Sequence, residues 1–372
     1  MQSKEKPAKP YPHFPLFAHA SGKWAKKISG KIEYFGRWED PLGALAEFKR
    51  LYADGGGGPT RKTYLCLYDG LNEFLVAKED SKIAGSLSRE SFRDYKQTCK
   101  SLIRHFGEDA DINAFGPSDF ARYKRERSKQ LNLVSMGNEI QRVRTAFKWL
   151  RRSKLIDDEP EYGPDFRKPT ALQIRRHKRH LGSKCYTPRQ VHQILDECGV
   201  HLRAMAFLGL NCGYGPTDLA LLEQQVFEIG KESGFIDYPR RKTEIARRAW
   251  LWPETIEAVD RSIERRTDPN EECQDLLFVY RDGGSWKCNA VPISKRFADA
   301  RKWTGMRTGD FYWFRYTFET ISGAAKDQVA TDLVMGHVDP SMSDNYRHHI
   351  GEDRIKAVCQ HVRSWLFESQ NC

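Results

Sequence analysis

Apolar side chains recur at every third or fourth position over long parts of this chain, the spacing that places them on one face of an α-helix. One such stretch follows Ser88, which can cap a helix N-terminus. Another follows Thr187 and Pro188, where Gln190 completes a capping box. The same pattern predicts helices near 117–127, over 136–150, from 253 onward and through most of 292–370. A chain patterned in this way is limited to a mainly α fold.

Strand character is confined to three short stretches. Residues 1–60 are aromatic and basic with interspersed glycines, which predicts a small hairpin followed by a helix around Leu42–Tyr52. Residues 233–252 have strand character on either side of a basic stretch at 240–248. Leu276–Tyr280 is predicted as a short strand closed by a glycine-rich turn. The expected fold is mainly α with a small β-sheet, in the α+β class, with a β-rich N-terminal region.

The chain has 372 residues, a length that suits two or three domains. Residues 1–60 form the aromatic and basic N-terminal region, and 70–156 a helical domain. Residues 157–183 read as a linker, because 157–160 breaks structure and 175–180 is basic. The capping box at Thr187 opens the next domain, assigned to 184–372. Hydrophobic residues make up 39% of the chain, which excludes a disordered protein.

The formal net charge of +11 suits a polyanionic partner, nucleic acid first and an anionic membrane surface second. No run of about 18 apolar residues is present, so no membrane span is expected. The charged N-terminus and the nine cysteines without CxxC pairs favour a cytoplasmic protein with reduced thiols. The histidines lack metal-ligand spacing. We therefore expect no metal, nucleotide or other cofactor.

One face of the helix predicted over 136–150 is basic. Its members are Arg142, Arg144, Lys148, Arg151 and Arg152. Solvated charge is the usual role of such residues, but their density in one segment favours a surface that faces DNA phosphates. In residues 1–60, lysines interleaved with aromatic residues either contact DNA or decorate a small sheet with its own core.

Three C-terminal segments form a further pattern. The first contains Arg315 within a run of aromatic residues, followed by Thr317 and Phe318. The second ends in His337 after Met335-Gly336, and the third contains Tyr346, nine residues after His337. This order and spacing resemble the C-terminal signature of the tyrosine recombinases, the phage integrase family.

The resemblance extends over nearly the whole chain. Lys242, between two strand-like stretches, matches the lysine of the family's catalytic hairpin, and 184–372 resembles its catalytic domain. Residues 70–156 resemble the family's core-binding domain and 1–60 its arm-type or extra N-terminal region. The resemblance implies that a helical domain and a catalytic domain clamp duplex DNA as a C shape.

The resemblance implies a metal-free cleavage of a DNA phosphodiester. Tyr346 would attack the phosphorus and form a 3′-phosphotyrosyl link. Arg315 would hold the phosphate through its forked donors, Lys242 would protonate the leaving oxygen, and His337 would donate to the phosphate or shuttle a proton. The alternatives are an Arg315 that pairs with an acid or stacks, a core His337 and, for Lys242, a solvated basic hairpin. Arg240 and Arg241 of this hairpin are predicted to contact DNA.

Two positions depart from the family pattern. Gly215 stands where the family has its first arginine, and Tyr312 where it has a histidine or lysine three residues before the second. Another cation could fill the first position, with Arg240, Arg241 and Arg347 as candidates. Alternatively the enzyme is slow, or the chain binds DNA without cutting it.

The function predicted from the sequence is a site-specific DNA recombinase or integrase that acts on double-stranded DNA as a homo-tetramer on paired sites. A catalytically silent DNA-binding relative and a topoisomerase-like enzyme are the alternatives. A metal-dependent nuclease is disfavoured, because no Asp/Glu/His cluster stands out in the sequence. The apolar C-terminal helix, which includes Val358 and Val362, could dock on a neighbouring protomer or on its own domain.

Overall fold

The computed structural model describes residues 6–11, 14–28, 31–53, 64–241, 243–286, 292–337 and 349–368. The chain separates into two compact units, Met1–His180 and Leu181–Cys372. Of the residues discussed above, Lys242, Tyr346 and Arg347 lie outside the described part. No described helix is both long and apolar enough to cross a membrane.

The first unit begins with a three-stranded antiparallel sheet in the order β1-β2-β3. The strands are β1 Phe17–His19, β2 Lys23–Ile28 and β3 Lys31–Arg37, and helix α1 Pro41–Ala53 packs on β3. The buried side chains of this region include Phe14, Leu16, Trp24, Phe35 and Ala44. The helix predicted at Leu42–Tyr52 is confirmed, and the predicted hairpin is part of a sheet of three strands.

Helices make up the rest of the first unit. They are α2 Leu67–Ile83, α3 Arg89–Phe106, α4 Pro117–Arg127, α5 Leu133–Arg152 and α6 Ala171–Leu181, the last of which ends at the division between the units. Helix α5 packs against α2 and α3. The hydroxyl of Ser88 accepts from the Ser91 N–H at the start of α3, as its sequence position predicts.

A buried carboxylate, Glu139 on α5, ties this bundle together. It accepts hydrogen bonds from Thr98 on α3 at 3.1 Å, Tyr123 on α4 at 2.7 Å and Arg127 at 2.9 Å. Glu139 is only 3% exposed, so these donors replace the water that its charge would otherwise need. One buried acid thus fixes the relative positions of three helices.

Part of the stretch predicted as a linker belongs to the core of this unit. Phe166 is fully buried, and its ring stacks on that of Tyr162 with centroids 5.8 Å apart. The basic run at 175–180 lies within α6, which contains no buried residue. The composition of this stretch does not indicate that buried aromatic residues precede a solvent-exposed helix.

The first complete helix of the second unit begins at the Thr187 capping box, where the predicted hydrogen bonds are present. Its helices are α7 Pro188–Glu197, α8 Val200–Asn211, the short α9 Pro216–Leu219, α10 Gln224–Ser233, α11 Pro253–Glu264, α12 Ile293–Trp303, α13 Trp313–Ser322, α14 Gln328–Met335 and α15 Glu352–Glu368. A two-stranded antiparallel hairpin, β4 Phe235–Asp237 and β5 Arg248–Trp250, confirms the strand character predicted for 233–252.

Helix α8 is the centre of this unit. It packs against α11, α12, α13 and α15, and from Ala204 to Asn211 every residue is buried. Asn211 at its end is fully buried and bonds the backbone on both sides of Leu251, at Trp250 O and Trp252 N. This amide therefore fixes the end of α8 to the strand β5.

The C-terminal helix α15 packs on its own unit, against α7, α8, α13, α14 and β5. Its buried residues are Ile355, Val358, Cys359, Val362 and Leu366. The indole N–H of Trp252 donates to the carbonyl of Cys359 at 3.0 Å. The sequence left open whether this helix docks on a neighbouring protomer or on its own domain. In the structure it packs on its own domain.

The strand predicted at Leu276–Tyr280 is wrong. Leu276 and Val279 form isolated bridges, to Glu223 and Ser285, and the intervening residues do not extend either into a ladder. The turn that contains Gly283 brings the chain back after only a few residues. There is therefore no room for the continued pairing that a strand requires.

Candidate functional site

Arg315 lies in the first turn of α13 and is 2% exposed. Its Nη1 donates to the carbonyl of Gly213 at 2.6 Å, and its Nη2 donates to the carbonyl of Met335. The guanidinium therefore joins the loop after α8 to the end of α14. Because two different backbone carbonyls hold it, its orientation is fixed before any ligand arrives.

The turn after α14 gathers two further arginines. Arg240 donates to the carbonyl of Gly336 at 3.3 Å. A Cβ on Gly336 would lie 2.7 Å from Cγ of Arg247 and 3.1 Å from Cβ of Arg240. Gly336 also has φ of 60°, a left-handed conformation that favours glycine. The predicted Gly-His turn is thus present, and glycine allows the arginines to approach it.

Arg247, on the chain leading into β5, is buried and fully engaged. It donates to the carbonyls of Tyr238 at 2.9 Å and Pro239 at 3.3 Å, and to Asp218 at 3.1 Å. Its guanidinium also lies 4.5 Å from the centre of the Tyr214 ring. These contacts identify a structural arginine that neutralises Asp218 and supports the hairpin.

Neither Arg247 nor Asp218 was predicted as part of the site. The two are 29 positions apart in the sequence, and each stands among other charged residues. A basic residue preceding a strand carries no signal that distinguishes a buried partner of an acid from a solvated charge. Only the fold brings them together.

The β4–β5 hairpin carries Arg240 and Arg241 beside the position of Lys242. Arg240 and Ile245 pair across the hairpin as an isolated bridge. The exposed Arg241 donates to the Tyr238 hydroxyl at 3.1 Å and to Glu223 at 3.3 Å. The structure thus places Arg240 at the Gly336-His337 turn. The side chain of Arg241 is instead held by Tyr238 and Glu223.

Gly215 and Tyr312, the two departures from the family pattern, lie against each other. A Cβ on Gly215 would be 3.1 Å from Cε2 and 3.4 Å from Cδ2 of the Tyr312 ring. Gly215 also caps α9, and its N–H donates to Asp218 at 3.0 Å. The ring of Tyr312 therefore occupies the direction in which a side chain at position 215 would leave the backbone.

His337 lies between two carboxylates. Its Nδ1 is 3.5 Å from Oδ1 of Asp332 and 3.7 Å from Oε2 of Glu319. The sequence-based view that no Asp/Glu/His cluster exists was wrong for these residues, whose ligand atoms lie within 4.8 Å of one another and could hold a metal ion. Two carboxylates at this distance repel unless positive charge lies between them. The Nδ1 atom of His337 is turned toward both acids.

Burial is the largest influence on Arg315 and lowers the pKa of its guanidinium. Arg240 and Arg247 lower this pKa further, whereas Tyr312 and Asp218 raise it. Arginine remains charged under such shifts, so their meaning is electrostatic. The site holds positive charge in a buried environment, an arrangement that an anion would stabilise.

The basic residues predicted on α5 divide into two groups. Arg142 is held by Thr98 at 3.0 Å and Asp94 at 3.2 Å, and Arg144 donates to the carbonyl of Phe166 at 2.7 Å. Lys148 and Arg151 are exposed, with Arg151 lying 3.6 Å from the exposed Asp158. Lys148 and Arg151 are therefore better placed than the other two for a contact with DNA.

The N-terminal sheet has both features that the sequence left open. It has a core of its own, and its other face exposes aromatic and aliphatic side chains, namely Phe17, Ile32 and Tyr34. Lys23 lies 5.9 Å from the centre of the Tyr34 ring. A small core and a basic, aromatic surface therefore coexist in this sheet.

No protein-family model matches the chain, and no curated protein matches it. Solved structures do match. A lambda integrase dimer bound to a COC′ core site is similar with a TM-score of 0.55 at 13% identity, covering 93% of this chain and 99% of that one. A lambda integrase tetramer bound to a Holliday junction gives 0.52 at 15% identity, with coverages of 90% and 98%.

A fragment of the Tn1549 transposon integrase, in complex with transposon right end DNA, is similar with a TM-score of 0.56 at 15% identity. The match covers 78% of this chain and 97% of that one. The resemblance found in the C-terminal segments thus extends to the architecture of the chain, which has the fold of the tyrosine recombinases.

Proposed function

We propose that this protein is a site-specific DNA recombinase or integrase that cuts and rejoins strands through a 3′-phosphotyrosyl intermediate. The observation that supports it most directly is the position of Arg315. This buried guanidinium is fixed beside the turn that leads, within nine residues of His337, to Tyr346. A preoriented arginine that holds the phosphate is what phosphodiester cleavage by a tyrosine without a metal requires.

In the proposed reaction the phenol oxygen of Tyr346 loses its proton and bonds to phosphorus. The bond from phosphorus to the 5′ oxygen breaks, and Lys242 supplies the proton that this leaving oxygen takes up. The new phosphotyrosyl ester retains the energy of the broken bond. A second 5′ hydroxyl can therefore displace the tyrosine and complete strand exchange without a nucleotide cofactor.

His337 would act on the same phosphate. Because Asp332 and Glu319 lie near Nδ1, the other ring nitrogen, Nε2, is left for a phosphoryl oxygen. A positively charged ring between these carboxylates would donate from Nε2. Tyr312, at the N-terminal end of α13, can donate a neutral hydrogen bond in the place of the family's histidine or lysine.

Duplex DNA is the substrate that this proposal requires. Lambda integrase and the Tn1549 integrase are known as complexes with DNA, and the lambda enzyme as a tetramer on a Holliday junction. We extend both properties to this chain, as a homo-tetramer on paired sites. Lys148 and Arg151 on α5 and the lysines of the N-terminal sheet are the proposed phosphate contacts, so binding should weaken steeply with salt.

The test is an adduct assay on nicked DNA fragments from the ends of the genetic element that encodes the protein. We expect an SDS-resistant protein–DNA adduct with the wild type and with Tyr68→Phe, an exposed tyrosine of the first unit. Tyr346→Phe should bind the same fragments in a gel shift without forming the adduct. An adduct that persists in Tyr346→Phe would contradict the assigned nucleophile. The assay contains EDTA, so an adduct formed there needs no metal at the His337 cluster.

A silent DNA-binding protein is the second candidate, and the glycine at 215 is the observation that favours it. Losing one charged donor from such a site lowers the rate by about 10²–10³. DNA binding by the wild type with no adduct under any nicked substrate would support this candidate. Adduct formation accompanied by relaxation of supercoils, without strand exchange, would instead indicate a topoisomerase-like enzyme.

A further inference from the structure

The loss of the first arginine leaves a specific gap in the proposed site. Gly215 has no side chain that could bind a phosphate, and the Tyr312 ring occupies the space where such a side chain would begin. A replacement guanidinium must therefore approach from another element. Within the described residues, the two other arginines that act electrostatically on Arg315 are Arg240 and Arg247.

Arg247 is less suited to this role than Arg240. Three acceptors take up its Nε, Nη1 and Nη2, and Asp218 neutralises its charge at 3.1 Å. It is also 2% exposed, between the Tyr214 and Tyr238 rings. A phosphate would have to displace an ion pair to reach it.

Arg240 differs from Arg247 in each of these respects. It is half-buried, and the hydrogen bond from its Nη1 to Gly336 O is long, at 3.3 Å. Arginine has five N–H donors in a planar fork, and the contact with Gly336, the one that the described residues make with this guanidinium, leaves most of them available. The carbonyl that it contacts follows directly after the one that Arg315 contacts, at Met335. Both guanidinium groups are thus anchored to the same turn.

The charge distribution also points to an anion. Two arginines and one carboxylate, Asp218, are the described charged groups that act on Arg315. Because Asp218 pairs with Arg247, the charges of Arg315 and Arg240 oppose each other across a site of reduced dielectric constant. A dianion between them would relieve this repulsion.

We propose that Arg240, on the catalytic hairpin, supplies the second phosphate-binding guanidinium that the family places at the position of Gly215. Arg315 and Arg240 then hold the scissile phosphate from α13 and from the hairpin, while Tyr312 seals the vacated space at Gly215. This inference rests on the proposed recombinase function. In this proposal the phosphate-binding guanidinium that is absent at Gly215 is supplied by Arg240 and is not lost from the site.

The first test measures anion binding without any DNA chemistry. Tungstate, a tetrahedral dianion, is added to the full-length protein, and the midpoint of thermal unfolding is compared with that in sodium chloride of equal ionic strength. We expect tungstate to raise the midpoint of the wild type, with saturation. Arg240→Ala should lose most of this rise, and Arg240→Lys, which keeps the charge but not the fork, should lose part of it.

Arg261→Ala is the matched control for this test. It removes one positive charge from an exposed side chain of α11 in the same unit, where Arg261 pairs with Glu257. Its tungstate effect should equal that of the wild type. The proposal is overturned if tungstate stabilises Arg240→Ala as much as the wild type, or if it stabilises neither.

The second test uses the adduct assay. Arg240→Ala should lower the rate of adduct formation by about 10²–10³, the effect of losing one preoriented charged donor. Its gel shift should change far less, because the contact is made to one phosphate among many. A wild-type rate in Arg240→Ala would overturn the proposal. If the wild type itself forms no adduct, the recombinase function fails, and the tungstate measurement still decides whether Arg240 binds an anion.

Discussion

Gly215 and Tyr312 lie against each other, so the size of the residue at one position limits the size of the residue at the other. The backbone at Gly215 has φ of −92°, which any residue can adopt, so conformational strain does not require glycine there. The requirement is steric, because the ring of Tyr312 stands 3.1 Å from the place of a Cβ. Two departures that appear independent in the sequence are therefore one contact in the structure.

Gly215→Ala should lower the free energy of unfolding by about 1–3 kcal/mol, the usual cost of overpacking. Tyr312→Ala should remove this penalty, so the double variant should be no less stable than Tyr312→Ala alone. Urea denaturation of the four proteins measures the coupling.

The control for this cycle is Gly199→Ala, at the N-cap of α8 in the same unit. A Cβ there meets nothing within 4 Å, so this variant reports only the cost of replacing a glycine cap, about 1 kcal/mol or less. Additive effects of the Gly215 and Tyr312 substitutions would contradict the steric explanation.

At this scale the sequence identified some site residues and missed others for a physical reason. Arg315 and His337 stand in motifs with fixed spacing, which a linear pattern can report. Asp332 precedes His337 by only one helical turn and a half, but Glu319 comes from α13, and their convergence depends on how α13 and α14 pack. The roles of Arg315, His337 and the basic residues stay predictions.

Among the elements, α15 shows how a terminal helix is held. Its apolar stripe faces the unit, and Arg363 adds a two-pronged contact to Glu254 in the first turn of α11, with Nε 2.9 Å from Oε2. Burial, the largest single influence, raises the pKa of Glu254, but the hydrogen bonds from Arg363, a backbone hydrogen bond and the charge of Arg363 together outweigh it and lower the pKa from its ordinary value. The ion pair therefore stabilises the folded chain.

Glu254→Gln should lower the free energy of unfolding by about 1–2 kcal/mol at pH 7, since a charged hydrogen bond pair is lost. Because the folded-state pKa is depressed, the contribution is complete above the ordinary pKa of 4.5 and disappears as the pH falls through the folded value. Urea denaturation at decreasing pH should therefore show the difference between the wild type and the variant shrinking below pH 4.5.

Glu257→Gln, which removes an exposed carboxylate on the same helix, is the control and should cost less than about 0.5 kcal/mol. A difference between the wild type and Glu254→Gln that persists at the acid end would contradict the assigned pair.

The elements that the sequence predicted well are those with local signals. The caps at Ser88 and Thr187 and the bounds Pro117–Arg127 are set by residues within one or two helical turns. The failures are tertiary. The extended stretch after Leu276 does not find a continuous partner, and the basic helix α6 buries nothing that would produce an apolar period.

At the scale of the whole molecule, the chain is divided next to α6. This helix ends at Leu181, where the second unit begins, and none of its residues is buried. It also contains four cleavage sites for trypsin, at Arg175, Arg176, Lys178 and Arg179. Exposed helices that bury no side chain unfold locally at low cost.

Limited trypsin digestion should therefore cut within α6 before it cuts α8 or α13, because those helices lie in the core of the second unit. We expect a resistant fragment that begins between residues 176 and 180, identified by intact mass. Prior incubation with DNA should slow the cut if α6 lies on the phosphates. Early cleavage inside α8 or α13, with α6 intact, would contradict this division of the chain.

The ring of Tyr312 over Gly215 has a consequence for how such a chain can change. An arginine cannot be restored at position 215 while the ring stands in its path, so the residue at 312 must become smaller or reorient first. A smaller residue at position 312 would therefore open the path for an arginine at position 215. The substitution Gly215→Arg, which would bring the sequence closer to the family pattern, is opposed by the packing of the Tyr312 ring against position 215.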